Sequence, residues 1–290
     1  GVLKDSIATV DGRLKSKLGG AEWSGKVALS EPRPPYELAL SVQDLDIEKA
    51  AKGTVTQGKL NLQAKVKGAG WTLADMNTRA EVRILPSSVG PVAVKQGALD
   101  ATLSEKKIRI AGATLATDDA TLAVSGELGL DAKNTGNLDY RLHMTDVSPW
   151  LALVKRKGSG TIELSGQARG NLADLQTQGV VRLSGLELEG TVVKAGNISF
   201  ALRGSQEEFF PRGVVTAQLT DIAAGLNLRR LNATAKLSRQ AVPSIQLDLD
   251  AQDTLERKHA VSGTMDLAPD ALMLRLSQVS LSAPDGTWKL

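Results

Sequence analysis

The chain has no cysteine, two histidines and 3% aromatic residues among its 290 residues. The lack of cysteine excludes disulfides, thiolate catalysis and cysteine metal sites, and it leaves the cellular compartment open. His143 and His259 each stand alone in a strand-like segment, which favours a structural role over metal binding or general-base catalysis. No metalloprotease, hydrolase, nucleotide-loop or calcium-loop motif occurs. The sequence therefore predicts a protein that is not an enzyme and that needs no metal or cofactor.

A large excess of charge of one sign is also lacking. The 35 basic and 32 acidic residues leave a net charge of +3, spread along the chain, so no concentrated field attracts polyanions. The few aromatic residues are not interleaved with a basic patch, which excludes nucleic acid as an expected partner. No apolar run is long enough to span a membrane, and no basic and apolar signal opens the chain. We expect either a soluble protein or a piece whose anchor has been removed.

What the chain does have is alternation of apolar and polar residues. Ile162, Leu164 and Ala168 point one way in an extended strand, while Glu163 and Gln167 point the other. The same period of two recurs in segments around residues 198–202, 231–237, 245–249 and 272–276. With 42% hydrophobic residues, the chain can form one large all-β unit or two domains.

Two internal repeats organise these strands. Residues 73–84 align with residues 172–183, with six of twelve positions identical. A second motif, an apolar residue followed by Ser-Gly-x-apolar-x-Leu, begins at Trp23, Val124 and Val261, and each copy is predicted to be one strand. These repeats predict a partial leading repeat at 1–24, a β unit at 25–125, a β unit with extra strands at 126–262 and the truncated start of a third unit at 263–290. We expect the chain to be part of a longer repeat protein.

Two short helices are predicted between the strand blocks. The segment 148–157 has Ser148 and Pro149 at its start, basic residues in its last turn and Gly158 after it, each placed as helix ends favour. The segment 46–52 is a weaker equivalent at a corresponding place in the repeat.

The Ser-Gly copies, together with residues 160–174 and 181–188, resemble the bacterial AsmA-like family, and most closely its TamB-type repeat proteins. The likeness covers most of residues 21–290. The resemblance implies a curved, U-shaped (β-taco-like) sheet of long antiparallel strands with an apolar groove. It also implies a periplasmic protein anchored in the inner membrane at full length, which moves phospholipid between the inner and outer membranes.

The residues and what the resemblance implies together leave two functions open. In the first, a groove carries phospholipid acyl chains, and the residues expected to line it are Ile162, Leu164, Val181, Leu183, Ile198, Phe200 and Leu202. In the second, the same stripes form a closed β core, and the protein is a structural or interaction scaffold for outer-membrane protein assembly or secretion, with an outer-membrane barrel protein as its partner. Sequence period alone does not separate a groove from a core.

Overall fold

The computed structural model describes residues 2–4, 6–50, 57–206, 208–239, 242–268, 271–283 and 286–289. The described chain is all-β, as predicted, with twenty strands and two short helices. The elements in chain order are β1 Val2–Lys4, β2 Ile7–Ser16, β3 Gly19–Ala28, β4 Pro35–Asp46, α1 Ile47–Ala50, β5 Gly58–Ala69, β6 Asn77–Ile84, β7 Ser87–Val89, β8 Val92–Ser104, β9 Lys107–Thr117, β10 Ala120–Gly129, β11 Gly136–Met144, α2 Ser148–Leu153, β12 Gly158–Asn171, β13 Asp174–Leu188, β14 Thr191–Ser205, β15 Glu208–Ala223, β16 Asn227–Arg239, β17 Pro243–Asp253, β18 Lys258–Ala268, β19 Ala271–Ala283 and β20 Gly286–Lys289.

The chain divides into two compact units. Unit 1 comprises Gly1–Leu142 and Pro149–Lys155, and unit 2 comprises His143–Ser148 and Arg156–Leu290. In unit 1, strands β2 to β10 pair antiparallel in chain order, with β6 and β7 sharing one place between β5 and β8. In unit 2, strands β12 to β19 also pair antiparallel in chain order, and the short β20 follows. These pairings join eight strand positions in each unit, and most of β11 lies in unit 1 as a further strand.

The break between β6 and β7 has a local cause. Pro86 has no N–H to donate to the ladder, so a continuous strand cannot pass through it unchanged. Asn61 of β5 spans the gap, because its Nδ2 donates to the Pro86 carbonyl at 2.8 Å and its backbone N–H donates to Ser87 Oγ at 2.9 Å. The ladder therefore continues from β6 to β7 across the interruption.

The two helices form where they are predicted, but α2 is shorter. α1 follows Asp46, whose Oδ1 accepts a hydrogen bond from the Lys49 N–H at 3.1 Å, as an N-terminal cap does; residues 51 and 52 of the predicted segment lie outside the described residues. α2 ends at Leu153 instead of 157. Lys155 takes the left-handed conformation (φ 58°) and stops the helix, while Gly158 already begins β12. The terminating role assigned to Gly158 was wrong.

The three Ser-Gly copies each lie within one strand, as predicted. They fall in β3, β10 and β18, with only the last leucine of the first two copies lying one residue beyond the strand. No helix in the described ranges combines the length and apolar character needed to cross a membrane.

Candidate functional site

One face of unit 2 carries four apolar rows that cross all eight long strands. A row here means residues that lie directly opposite one another on successive strands, and such residues share a face of the sheet. The first row is Ile162, Leu183, Gly196, Leu219, Leu231, Ala251, His259 and Leu281; the second is Leu164, Val181, Ile198, Ala217, Ala233, Leu249, Val261 and Val279; the third is Gly166, Gly179, Phe200, Val215, Ala235, Leu247, Gly263 and Leu276; the fourth is Ala168, Thr177, Leu202, Gly213, Leu237, Ile245, Met265 and Leu274. We call these four rows the apolar face of unit 2.

The apolar face of unit 2 is almost free of polar side chains. Within its four rows, Thr177 and His259 are the two polar residues, and no residue carries a permanent charge. Glycine, alanine, valine, leucine and isoleucine supply nearly all the other positions, so this face offers dispersion contacts and few hydrogen-bonding groups.

The seven residues expected to line a groove all lie on this face. Ile162 and Leu183 are opposite each other in the first row, and Leu164, Val181 and Ile198 are neighbours in the second. Phe200 belongs to the third row and Leu202 to the fourth. The prediction that they share a face is confirmed, and their role in binding lipid stays a prediction.

Burial differs within this set. Leu183 is buried, with 8% of its surface exposed, whereas the other six are half-buried. A side chain in the middle of a closed core is normally fully covered. Most side chains of this face are therefore covered by their neighbours in the sheet but keep part of their surface accessible.

Unit 1 repeats the arrangement. Its four rows cross β2 to β10 and are again apolar except for Tyr36 and Thr78. The two central rows are Val10, Gly25, Leu38, Val66, Ala80, Ala101, Ile110 and Gly126, and Gly12, Trp23, Leu40, Ala64, Val82, Leu99, Ala113 and Val124. The outer rows are Leu14, Ala21, Val42, Leu62, Ile84, Gly97, Leu115 and Leu122, and Ala8, Val27, Tyr36, Gly68, Thr78, Leu103, Ile108 and Leu128. We call these rows the apolar face of unit 1.

Some parts of the two apolar faces are much more exposed than others. In unit 1, Val10 is 50% exposed and Trp23 is 41% exposed, whereas Val42 in β4 is buried. In unit 2, Leu274 and Leu276 of β19 are more than half exposed. Large apolar side chains left in contact with water mark a surface that is suited to an apolar partner.

The opposite face of each sheet is polar and held by ion pairs across strands. In unit 1, Arg13 pairs with Glu22 at 2.7 Å and Lys67 pairs with Glu37 at 2.8 Å, each directly opposite its partner. The hydrogen bond from Lys67 holds the pKa of Glu37 below its usual value. Exposed ion pairs of this kind contribute little to the free energy of unfolding. The charged side chains instead keep this face of the sheet hydrated.

The polar face of unit 2 also contains a cleft of about 300 Å³. Arg169, Arg203 and Arg212 line it together with glutamine side chains from β12 and β13. Arg203 makes two hydrogen bonds to the Asp174 carboxylate, at 2.6 and 2.7 Å. The cleft is thus part of a paired polar network on the face opposite the apolar rows.

A buried carboxylate closes the turn between β17 and β18. Asp253 is 1% exposed and follows the first row, two residues beyond Ala251. It accepts hydrogen bonds from the Leu255 and Arg257 N–H groups at 2.9 Å and from Arg257 Nε at 2.7 Å, and it lies 3.2 Å from His259 Nε2. Burial raises the pKa of Asp253, but the hydrogen bonds from Arg257 and His259 outweigh it and lower the pKa to about 2.

Sequence reasoning missed Asp253 and the whole apolar face of unit 1 as candidate residues. The alternation in β2 to β10 was visible, but no pattern in the sequence shows which strands pair. Within the described ranges, no group of three or more histidine, aspartate or glutamate side chains is placed to hold a metal ion. Comparison with protein-family models, curated proteins and solved structures gives no match for this chain.

Proposed function

We propose that the apolar faces bind phospholipid acyl chains, and that the protein is a segment of a periplasmic bridge that carries them between the inner and outer membranes. The observation that carries the proposal is the continuity of the rows, since each of the strands β12 to β19 of unit 2 contributes to all four. The resemblance to the AsmA-like family supplies the cell-envelope setting and the inner-membrane anchor of the full-length protein.

The energetics favour an acyl chain as the occupant. Each methylene removed from water contributes about 0.8 kcal/mol, so a chain of about fifteen carbons costs on the order of 12 kcal/mol to expose. A surface of leucine, valine, isoleucine and alanine, half-buried and without charge, recovers part of that free energy. A lipid in contact with such a face can leave a membrane without full exposure to water.

The composition of the face favours passage over tight binding. Specific binding sites combine an apolar lining with a few placed polar groups that fix the ligand's orientation. In unit 2, Thr177 and His259 are the two polar positions of the four rows, and both lie in outer rows. The two middle rows carry no polar side chain that would hold a hydrocarbon chain at one place. The proposed activity involves no bond making or breaking.

The test is whether purified, detergent-free protein holds lipid and moves it. Native mass spectrometry should find phospholipid bound, and delipidated protein should speed transfer of a fluorescent phospholipid from donor to acceptor vesicles. The absence of both bound lipid and transfer, in protein with a folded β-sheet spectrum, would contradict the proposal.

A second candidate function has its own observation. β20 pairs only with the last four residues of β19, so residues 272–279 show no second neighbouring strand among the described residues. A strand that a partner adds beside β19 would contact the exposed Leu274 and Leu276, as a scaffold for outer-membrane protein assembly would require. A Leu276→Lys variant that loses a protein partner but keeps lipid transfer would favour this scaffold role.

A further inference from the structure

At six glycines of the apolar faces, a large apolar side chain lies directly opposite and approaches the glycine. These pairs are Gly12 with Trp23, Gly25 with Leu38, Gly97 with Ile84 and Leu115, Gly179 with Phe200, Gly196 with Leu219, and Gly263 with Leu276. The pattern occurs in both units. It also includes Gly25 and Gly263 of the repeated Ser-Gly motif. Gly126 and Gly213 also face large apolar side chains, but the atoms nearest to them belong to the backbone.

In each pair the large side chain leans over its glycine. A Cβ placed on Gly179 would lie 2.6 Å from Cζ of Phe200, and one placed on Gly25 would lie 2.8 Å from Cδ2 of Leu38. A Cβ on Gly97 would meet side-chain atoms of Ile84 and Leu115 at 3.1 and 3.2 Å. The glycine leaves a hollow, and the side chain opposite fills it, as aromatic residues do across from glycine in other sheets.

The consequence is that these six glycines leave no deep hollow in their rows. A large residue that stood upright beside a bare glycine would create a ridge next to a pit, and a pit holds hydrocarbon by burying more of it. By filling each hollow from the strand opposite, the pairs even out the contact that a hydrocarbon chain makes as it moves from strand to strand.

We infer that these glycine pairs level the apolar faces, so that they set how fast a phospholipid acyl chain moves along the sheet. The inference rests on the proposed function and identifies residues that control its rate. The residues act by shape, since neither partner of a pair offers a polar group to the lipid, apart from the indole N–H of Trp23. The level face keeps the free energy of the bound chain nearly constant from one row position to the next.

Gly196 and Leu219 make the cleanest test. A Cβ on Gly196 would collide only with Cδ2 of Leu219, because Leu183 Cδ1 at 3.5 Å and the Gln218 carbonyl oxygen at 3.6 Å are at ordinary contact distances. At Gly179, by contrast, a Cβ would also lie 2.6 Å from the Ser165 carbonyl oxygen, which is backbone and cannot move aside. Changes at position 196 therefore alter the surface with little strain on the sheet.

The experiment uses three variants of this pair. Leu219→Ala should open a pit above Gly196 and slow dissociation of a bound fluorescent phospholipid on the order of four-fold for each methylene that the pit admits. Gly196→Ala should push Leu219 outward into a bump and weaken binding. The double variant should return both the dissociation rate and the affinity toward the wild type, because the methyl group added at position 196 fills the space that the shortened side chain at position 219 leaves.

Gln218→Ala is the matched control, since Gln218 precedes Leu219 but lies exposed on the opposite face. If the wild type transfers lipid and both single variants match it, the levelling inference is wrong while the proposed function stands. If the wild type neither binds nor transfers lipid, the proposed function itself fails. Should a variant unfold, the Trp23 and Gly12 pair in unit 1 provides a second test, because the nearest atoms to a Cβ on Gly12 all belong to the Trp23 ring.

Discussion

Leu164 lies directly opposite Val181 across β12 and β13, while Ser165, the next residue along β12, points to the other face and is exposed. The same substitution made at position 164 or at position 165 therefore changes opposite faces of one sheet. Leu164 is half-buried, so a charged group there keeps partial access to water.

We predict that Leu164→Asp keeps the fold and loses lipid. A carboxylate at a half-exposed apolar position costs about 1–3 kcal/mol of unfolding free energy, which is less than a buried charge costs. It also presents a hydrated group to the acyl chain, so bound phospholipid should fall at least several-fold in native mass spectrometry. Ser165→Asp should change neither quantity. Complete unfolding of Leu164→Asp would instead favour a closed core.

Replacing leucines by alanine should lower the unfolding free energy more at covered positions of the apolar face than at exposed ones. Leu183 is 8% exposed and Leu276 is 57% exposed, although both lie in the rows of unit 2. Leu183→Ala should lower the unfolding free energy by about 2–3 kcal/mol, because it leaves a cavity, whereas Leu276→Ala should cost about 1 kcal/mol or less. Urea denaturation measures both. Equal losses would mean that both positions are covered to the same degree.

The sequence predicts features that depend on residues close together in the chain. It does not predict features that depend on residues far apart in the chain. The period of two placed Ile162, Leu164 and Phe200 correctly, because alternation is local to a strand. Which strands pair, and in which register, is a long-range property, so the partnership of Gly179 with Phe200 could not be predicted. The Ser-Gly motif was found as a repeat, but the hollow that Gly25 and Gly263 make on the apolar face appears only once the opposite strands are known.

The turn between β17 and β18 is a second case. Asp253 looks like any turn aspartate in the sequence, and its burial depends on Arg257 and His259 folding back over it. The end of α2 at Leu153 could not be predicted either. Lys155 takes a left-handed conformation that its residue type does not favour.

Asp253 should give the protein a specific acid sensitivity. Its folded-state pKa of about 2 lies below the ordinary value of 3.8, so its ionised form contributes stability above about pH 4. That contribution is lost as the pH falls toward 2, because the unfolded chain takes up the proton first. The unfolding free energy of the wild type should therefore decline between about pH 4 and pH 2.

Asp253→Asn should be less stable than the wild type at neutral pH and should show a flatter decline in that acid window. An amide cannot accept all the hydrogen bonds that the carboxylate accepts. Asp250→Asn, at an exposed position of the same strand, is the control and should follow the wild type. Urea denaturation at several pH values makes the comparison, and identical pH profiles for wild type and Asp253→Asn would contradict the role assigned to this carboxylate.

The proposed function requires that hydrocarbon contacts one face of the sheet and not the other. Photo-crosslinking from a diazirine side chain placed in turn at positions 164, 181, 165 and 182 measures this contact, in membranes that contain natural phospholipid. We predict lipid adducts from 164 and 181, on the apolar face, and none above background from 165 and 182, on the polar face. Adducts of equal yield from both faces, or none from 164 and 181, would show that the apolar face is not where lipid binds.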